Sequence, residues 1–300
     1  MSERRIGLAC AFSVLLIWTG FHLSGRLSAR QALLPWDLTA LRFGGSFLAA
    51  MPLVAMYGWP RLRPWRAVAL IATAAFGFPM LAYFGFGLAP AAHAGVVLAG
   101  SLPLLVAALS VLFLGERWTA TRLLSLAVVA AGIALLFSDT FGAAPGAWRG
   151  DLFFLGSVLS WAIYTVLIRH WREPALRVTL AVAIYPAIVY LPLWWFVLPS
   201  HIAIAPVGVV VFQGLYQGII AVLLAGFLFT RAVNAIGAGM TTSITALVPA
   251  MVALGGWVLL GEPLGPAGLA GVALVCLGML LAVAGPGLRK ADTSRSQPGE

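Results

Sequence analysis

The chain has 300 residues, of which 62% are hydrophobic and 9% charged, with a mean hydropathy of +1.01. A soluble domain is about a quarter charged, so this composition excludes a water-soluble globule and points to an integral membrane protein with many spans. The net charge of +9 does not indicate a nucleic-acid partner, because the 18 basic residues are scattered at the ends of apolar runs rather than gathered on one polar face.

In chain order, ten apolar runs are each long enough to cross roughly 30 Å of hydrocarbon. They lie near 6–27, 37–57, 66–89, 92–114, 119–137, 151–170, 177–198, 206–234, 238–260 and 264–284. Arg4 and Arg5 precede the first run, which is too long for the apolar core of a cleaved signal peptide and reads as a retained helix. Turn and charge signals separate the runs: "WPRLRPWR", "GERWTATR", "SDTFGAAPGAWRGD", "RHWREPALR" and "GEPLGP". Residues 287–300 form a polar tail. With a cytoplasmic N-terminus, ten spans leave only Arg26, Arg30, Arg42 and Arg149 of the 18 basic residues on the outer side. That bias follows the positive-inside rule and places both termini in the cytoplasm.

The chain repeats itself. Shifted by 146 positions, Pro103 matches Pro249, Leu114-Gly115-Glu116 matches Leu260-Gly261-Glu262, and Gly132 matches Gly278. An earlier echo aligns Trp18 with Trp161 and Arg26 with Arg169. The expected fold is all-α and integral to the membrane: ten transmembrane helices in two five-helix repeats, 1–140 and 141–286. Five is odd, so the second repeat starts on the opposite side of the membrane. Inverted repeats around a central cavity are a common plan of secondary transporters.

These features together resemble the EamA family of the drug/metabolite transporter superfamily. The resemblance rests on ten runs in two repeats, an early Trp in each (Trp18, Trp161), "LRFGGSFLAA" in the second run, and the Pro-x10-LGE pattern ending in Glu116 and Glu262. It covers about 6–285. It implies a helical basket with a central cavity, working in a bacterial inner membrane and mostly exporting small metabolites, amino acids among them. Relatives in the superfamily carry drugs or lipid carriers, so a multidrug exporter or lipid-carrier translocase is the alternative.

Polar groups inside apolar runs are costly and mark a cavity or pathway. Trp18 and Trp161 lie mid-run, away from the interfacial belts where Trp gathers. His22 and Tyr164 sit about one turn from them on the same faces. These four either flank a cavity or pack between helices. Arg42 lies about a turn and a half inside its run, placed either to snorkel outward or to bind a carboxylate or phosphate. Gln213, Tyr216 and Gln217 form the most polar stripe of any run. With Tyr83, His93, His22 and Arg42 they are candidates to line an outward-facing vestibule. Thr245, in the Thr241–Thr245 cluster, and Tyr185 before Pro186 are further candidates.

Pro103 and Pro249 each free a carbonyl mid-run, which either shapes the bundle or exposes backbone to a ligand. Glu116 and Glu262 stand where one helix passes to the next. Each is placed to accept from orphan amides at the following helix start, behind a Gly suited to ending the preceding helix. All nine acidic residues fall at run ends or in tails. That disfavours proton-coupled export of cations and favours a facilitator or exchanger for a neutral or zwitterionic solute, with His22 and His93 as the titrating alternative. Cys10 and Cys276 read as packing residues. No metal site, cofactor or enzymatic constellation is expected; the partners are a small-molecule solute and membrane lipid.

Overall fold

A computed structural model describes residues 2–31, 33–115, 119–140 and 145–295. Ten helices and no strand are found among them: α1 (Glu3–Ala29), α2 (Pro35–Tyr57), α3 (Pro64–Leu88), α4 (Ala91–Phe113), α5 (Ala120–Thr140), α6 (Ala147–Trp171), α7 (Ala175–Phe196), α8 (Val207–Ile236), α9 (Met240–Leu260) and α10 (Pro266–Arg295). Each occupies one apolar run of the sequence. Eight are long and apolar enough to cross a membrane; in α5 and α10 the apolar stretches, Leu123–Asp139 and Pro266–Ala282, are shorter. Helices suit such runs because hydrocarbon offers the backbone no hydrogen-bond partner. Large side chains left uncovered, such as Leu48, Phe113, Phe196, Phe227 and Leu259, form an apolar outer surface that fits lipid.

Short connections make successive helices alternate in direction. One end of the bundle, the first face, carries the start of α1 and the segments near 58–63 and 172–174. The second face carries the segments near 30–34, 89–90, 197–206 and 261–265. Proline opens α2 and α3, where its missing N–H costs nothing. Gly115 and Gly261 close the helices before them with φ of +69° and +64°, a conformation that strains any residue with a Cβ.

The packing pairs are regular. Helix α1 lies against α8 and α9, while α6 lies against α3 and α4; α2 packs on α7, and α5 on α10. Two groups therefore face each other, α1/α8/α9 and α6/α3/α4. The α5–α10 seam is built on small residues. A Cβ at Gly132 would sit 2.6 Å from the Gly271 carbonyl oxygen, and one at Gly278 would sit 3.1 Å from that of Ser125. Close backbone approach of this kind replaces the missing hydrophobic drive between helices in lipid. Gly132→Leu is expected to cost about 2 kcal/mol and lower the melting temperature in detergent by roughly 5 °C. Gly226→Leu, where an added Cβ meets nothing within 4 Å, should leave it unchanged. Equal melting temperatures for the two variants would mean the seam is not this tight.

Three helices depart from α geometry. Residues 71–80 of α3, 95–100 of α4 and 214–224 of α8 are wound as π-helix. In α3 the distortion contains Pro79. The α4 distortion ends just before Pro103, and α9 is interrupted at Ala246–Leu247, just before Pro249. The two repeat-related prolines thus follow repeat-related irregularities.

Candidate functional site

A cavity of about 520 Å³ lies at the centre of the bundle, and all helices except α7 contribute to its wall. That size suits a small metabolite. At mid-helix depth the wall carries Trp18, Phe21 and His22 of α1, Arg42 of α2, Phe78 of α3 and Trp161 of α6. From there it runs toward the first face, past Phe229, Thr242 and Thr245, to Ser110, Ser125, Arg169 and Met279. No acidic side chain lines it among the described residues.

The wall is aromatic on two sides. Trp18 stacks on Phe229 with centroids 5.6 Å apart, and Trp161 lies 4.6 Å from Phe78 and 4.7 Å from Tyr164. The prolines act on the same wall. Each removes the N–H that would bond four residues back, and those positions, Ala99 and Thr245, both line the cavity.

Arg42 is the buried cation of the site. Its Nη1 donates to the Gln217 carbonyl at 3.3 Å, and its guanidinium stands over the Phe21 ring at 5.6 Å. A hydrogen-bond network holds this corner. The Tyr83 hydroxyl donates to Gln217 Oε1 at 3.0 Å, Gln217 Nε2 to Ser24 Oγ at 2.9 Å, and Gln213 Nε2 to the Ser24 carbonyl at 3.1 Å. His22 also faces the cavity, and its Nδ1 is buried with no partner among the described residues.

Toward the second face the cavity stops. A layer of rings closes over it, with Phe21–Phe86 centroids at 5.9 Å and Phe86–Phe154 at 5.4 Å. Beyond the rings, Glu262 gathers four helices. Its carboxylate accepts from Arg26 Nε at 2.7 Å, from Arg30 Nη2, and from the Ala91 amide at 2.8 Å. Arg26 also donates to the Phe86 carbonyl at 2.7 Å. This cluster ties α1 and α9, on one side of the cavity, to α3 and α4 on the other.

Three more carboxylates secure the second face. Asp151 pairs with His93 Nδ1 at 2.8 Å, joining α6 to α4. Asp139 accepts from the Gly265 amide at 2.8 Å, joining α5 to the start of α10. Asp37 is fully buried and accepts from Trp194 Nε1 at 3.0 Å, Ser200 Oγ at 2.6 Å, and the Leu34 and His201 amides at 3.0 Å each. On the first face the described ion pairs lie within one group of helices or beside it. Glu3 pairs with Arg231 (α1 to α8), and Glu173 pairs with Arg66 and Arg177.

Of the residues singled out in the sequence, Trp18, His22, Arg42, Pro103, Trp161 and Thr245 meet at the cavity. The others stand behind its wall or away from it. Tyr164 packs against Trp161 at a tilt of 41°. Gln213, Gln217 and Tyr83 are fully buried between α1, α2, α3 and α8. Tyr216 donates to the Ile17 carbonyl at 3.0 Å, and His93 is held by Asp151. The Tyr185 hydroxyl donates to the Pro60 carbonyl, near the first face. Pro249 is buried in the first turn of the helix after the α9 interruption.

Glu262 does cap a helix start, but it is that of α4 rather than of α10, because Asp139 already serves α10. Glu116 lies outside the described residues. The sequence places Arg26 and Arg30 only on the outer side and gives them no role in a closure; the alignment of Arg26 with Arg169 is the signal that singles out the first. Nothing in the sequence distinguishes Phe78 and Phe229 from the other phenylalanines.

Comparison with known proteins agrees with this architecture. The family model for the EamA-like transporter family matches twice, over residues 5–138 and 148–284. An uncharacterized transporter of Bacillus subtilis (strain 168), YwfM, is 28% identical over 281 residues, covering 91% of this chain and 93% of that one. A solved crystal structure, titled only as that of a protein, superposes with a TM-score of 0.65. It has 23% identity and covers 95% of this chain and 98% of that one, a likeness of fold alone.

Proposed function

The chain belongs to the EamA-like transporter family, and on that premise we propose that it exports small metabolites, amino acids or similar solutes, across a bacterial inner membrane by alternating access. The spans number ten, in two inverted repeats of residues 1–140 and 141–286, and both termini with the polar tail 287–300 are cytoplasmic. Three features support the inverted repeat. The family model matches twice. Exchanging α1, α8, α9 with α6, α3, α4 reproduces the packing pairs. The same exchange turns the Gly132–Gly271 approach into that of Gly278 with Ser125, each partner shifted by 146.

One observation carries the transport reading. A central cavity walled by both repeats reaches toward one face, while rings and the Glu262 cluster close it from the other. The first face, rich in arginine at its connections, is the cytoplasmic one, so this conformation faces inward. Trp18, His22, Arg42, Trp161 and Thr245 are the solute contacts. Gln213, Gln217 and Tyr83 position Arg42. Export requires the second-face closure to separate while the first face closes. A facilitator or exchanger fits better than a proton antiporter, since no carboxylate lines the cavity among the described residues. No catalytic role is proposed.

Counterflow in proteoliposomes tests this reading, with unlabelled amino acids loaded one at a time and uptake of the labelled form followed. The expected result is saturable uptake of a subset, indifferent to an imposed pH gradient and reduced about tenfold or more by Trp161→Ala, which deletes an aromatic contact of the cavity wall. Folded protein that moves no amino acid would exclude amino acids as cargo. Uptake that follows the gradient would move the coupling role to His22 and His93.

A further inference from the structure

The cavity's charge selects its cargo. Resting on the transport reading above, we infer that Arg42 seats an anionic group of the solute, so that an organic anion is held more tightly than the zwitterion of the same skeleton, and a cation least of all.

Arg42 is 9% exposed and belongs to the cavity wall. A guanidinium offers five N–H donors. Here one of them reaches a main-chain carbonyl at a long 3.3 Å, a ring lies beneath, and the Tyr83 hydroxyl lies alongside. No carboxylate pairs with Arg42 among the described residues. The nearby acids are committed elsewhere: Asp37 on the same helix has four donors of its own, and Glu262 and Asp151 have theirs. A buried guanidinium with no anion is costly, and a carboxylate that docks on its planar fork relieves that cost with charge-assisted bonds.

The surroundings add to the preference. His22, one helix away on α1, belongs to the same wall, and its buried Nδ1 has no partner among the described residues. Arg169 adds a second guanidinium to the wall nearer the first face, where its Nη1 donates to Ser110 Oγ at 3.1 Å. A solute entering from the first face thus passes one guanidinium and meets another. An ammonium group finds only neutral partners in the wall, ring faces, hydroxyls and carbonyls, and no carboxylate among the described residues. Apart from a few serine and threonine hydroxyls, the rest of the wall is aromatic or aliphatic, which suits an apolar body behind the anionic head.

Three probes isolate the charge: 4-methylpentanoate, leucine and 3-methylbutylamine, which share one branched skeleton. Binding to the purified protein is read from tryptophan fluorescence, since Trp18 and Trp161 line the cavity, and counterflow is measured in parallel. The expected order of affinity is carboxylate, zwitterion, amine, with the ends about tenfold or more apart. Arg42→Gln should flatten that order, and Arg42→Lys should keep its direction with weaker binding, because a point charge lacks the fork.

An amine bound as well as the carboxylate by the unaltered protein overturns the inference, as does a zwitterion bound more tightly than both. If leucine counterflow persists in either case, the transport reading survives. Counterflow of none of the three, nor of any other amino acid, removes both. Added phosphatidylglycerol separates a soluble anion from a lipid headgroup. An unchanged order supports the soluble anion, and displacement of all three probes overturns it in favour of lipid.

Discussion

Exchanging Glu262 for glutamine is expected to unlock the second face. The carboxylate holds Arg26, Arg30 and the first amide of α4 at once. The pair with Arg26 carries most of the effect, because those side chains are 16% and 10% exposed. Arg30 is 41% exposed, so solvent screens its share. Removing one partner of a largely buried ion pair costs about 3 kcal/mol, and each 1.4 kcal/mol shifts a two-state population about tenfold. The closed arrangement of the second face should therefore lose about two orders of magnitude in preference. A cysteine placed at Leu98, with Cys10 and Cys276 replaced, reports the change through a thiol reagent that cannot cross the membrane. In the parent the reagent should label from the side of the first face alone. In Glu262→Gln it should also label from the opposite side, and net transport should fall. Glu262→Asp should be intermediate. Labelling that stays one-sided would mean the rings alone hold the face shut.

Asp37→Ala should be the most damaging of the substitutions to folding. Its carboxylate is fully buried and satisfies an indole, a hydroxyl and two backbone amides. Alanine leaves the buried Trp194 indole and three part-buried donors without this acceptor. At about 1–3 kcal/mol for each unsatisfied group, with partial relaxation, the loss is about 4 kcal/mol. That corresponds to a melting temperature in detergent lower by roughly 10 °C, with the start of α2 released from α7. Asp37→Asn keeps the shape but turns an amide toward one pair of donors, and about half the loss is expected. If Asp37→Ala melted with the parent, these four bonds would contribute nothing to stability.

Much of the bundle was legible from periodless apolar runs. Every run became a helix, and the separators fell within a few residues of the turns, because hydrocarbon leaves a backbone no alternative. The repeat was legible too, since proline and glycine at fixed spacing survive where leucine and alanine blur. What a polar face looks at was not. Gln213, Tyr216 and Gln217 share a stripe whether they meet a cavity or another helix, and the structure sets them against α1. Spacing gives a direction around one axis and says nothing of the neighbour. The Arg26–Glu262 bond joins residues 236 apart in sequence, which no local pattern can announce.

The seam between α5 and α10 has a further consequence. Gly132 meets Gly271, and Gly278 meets Ser125. If the two repeats trade conformations during transport, a contact such as that of α1 with α8 must be exchanged for its counterpart, that of α6 with α3. This one is carried onto itself: the swap returns the same four residues to the same meeting. The seam is then the stationary hub of the motion, and its glycines serve the cycle by staying where they are.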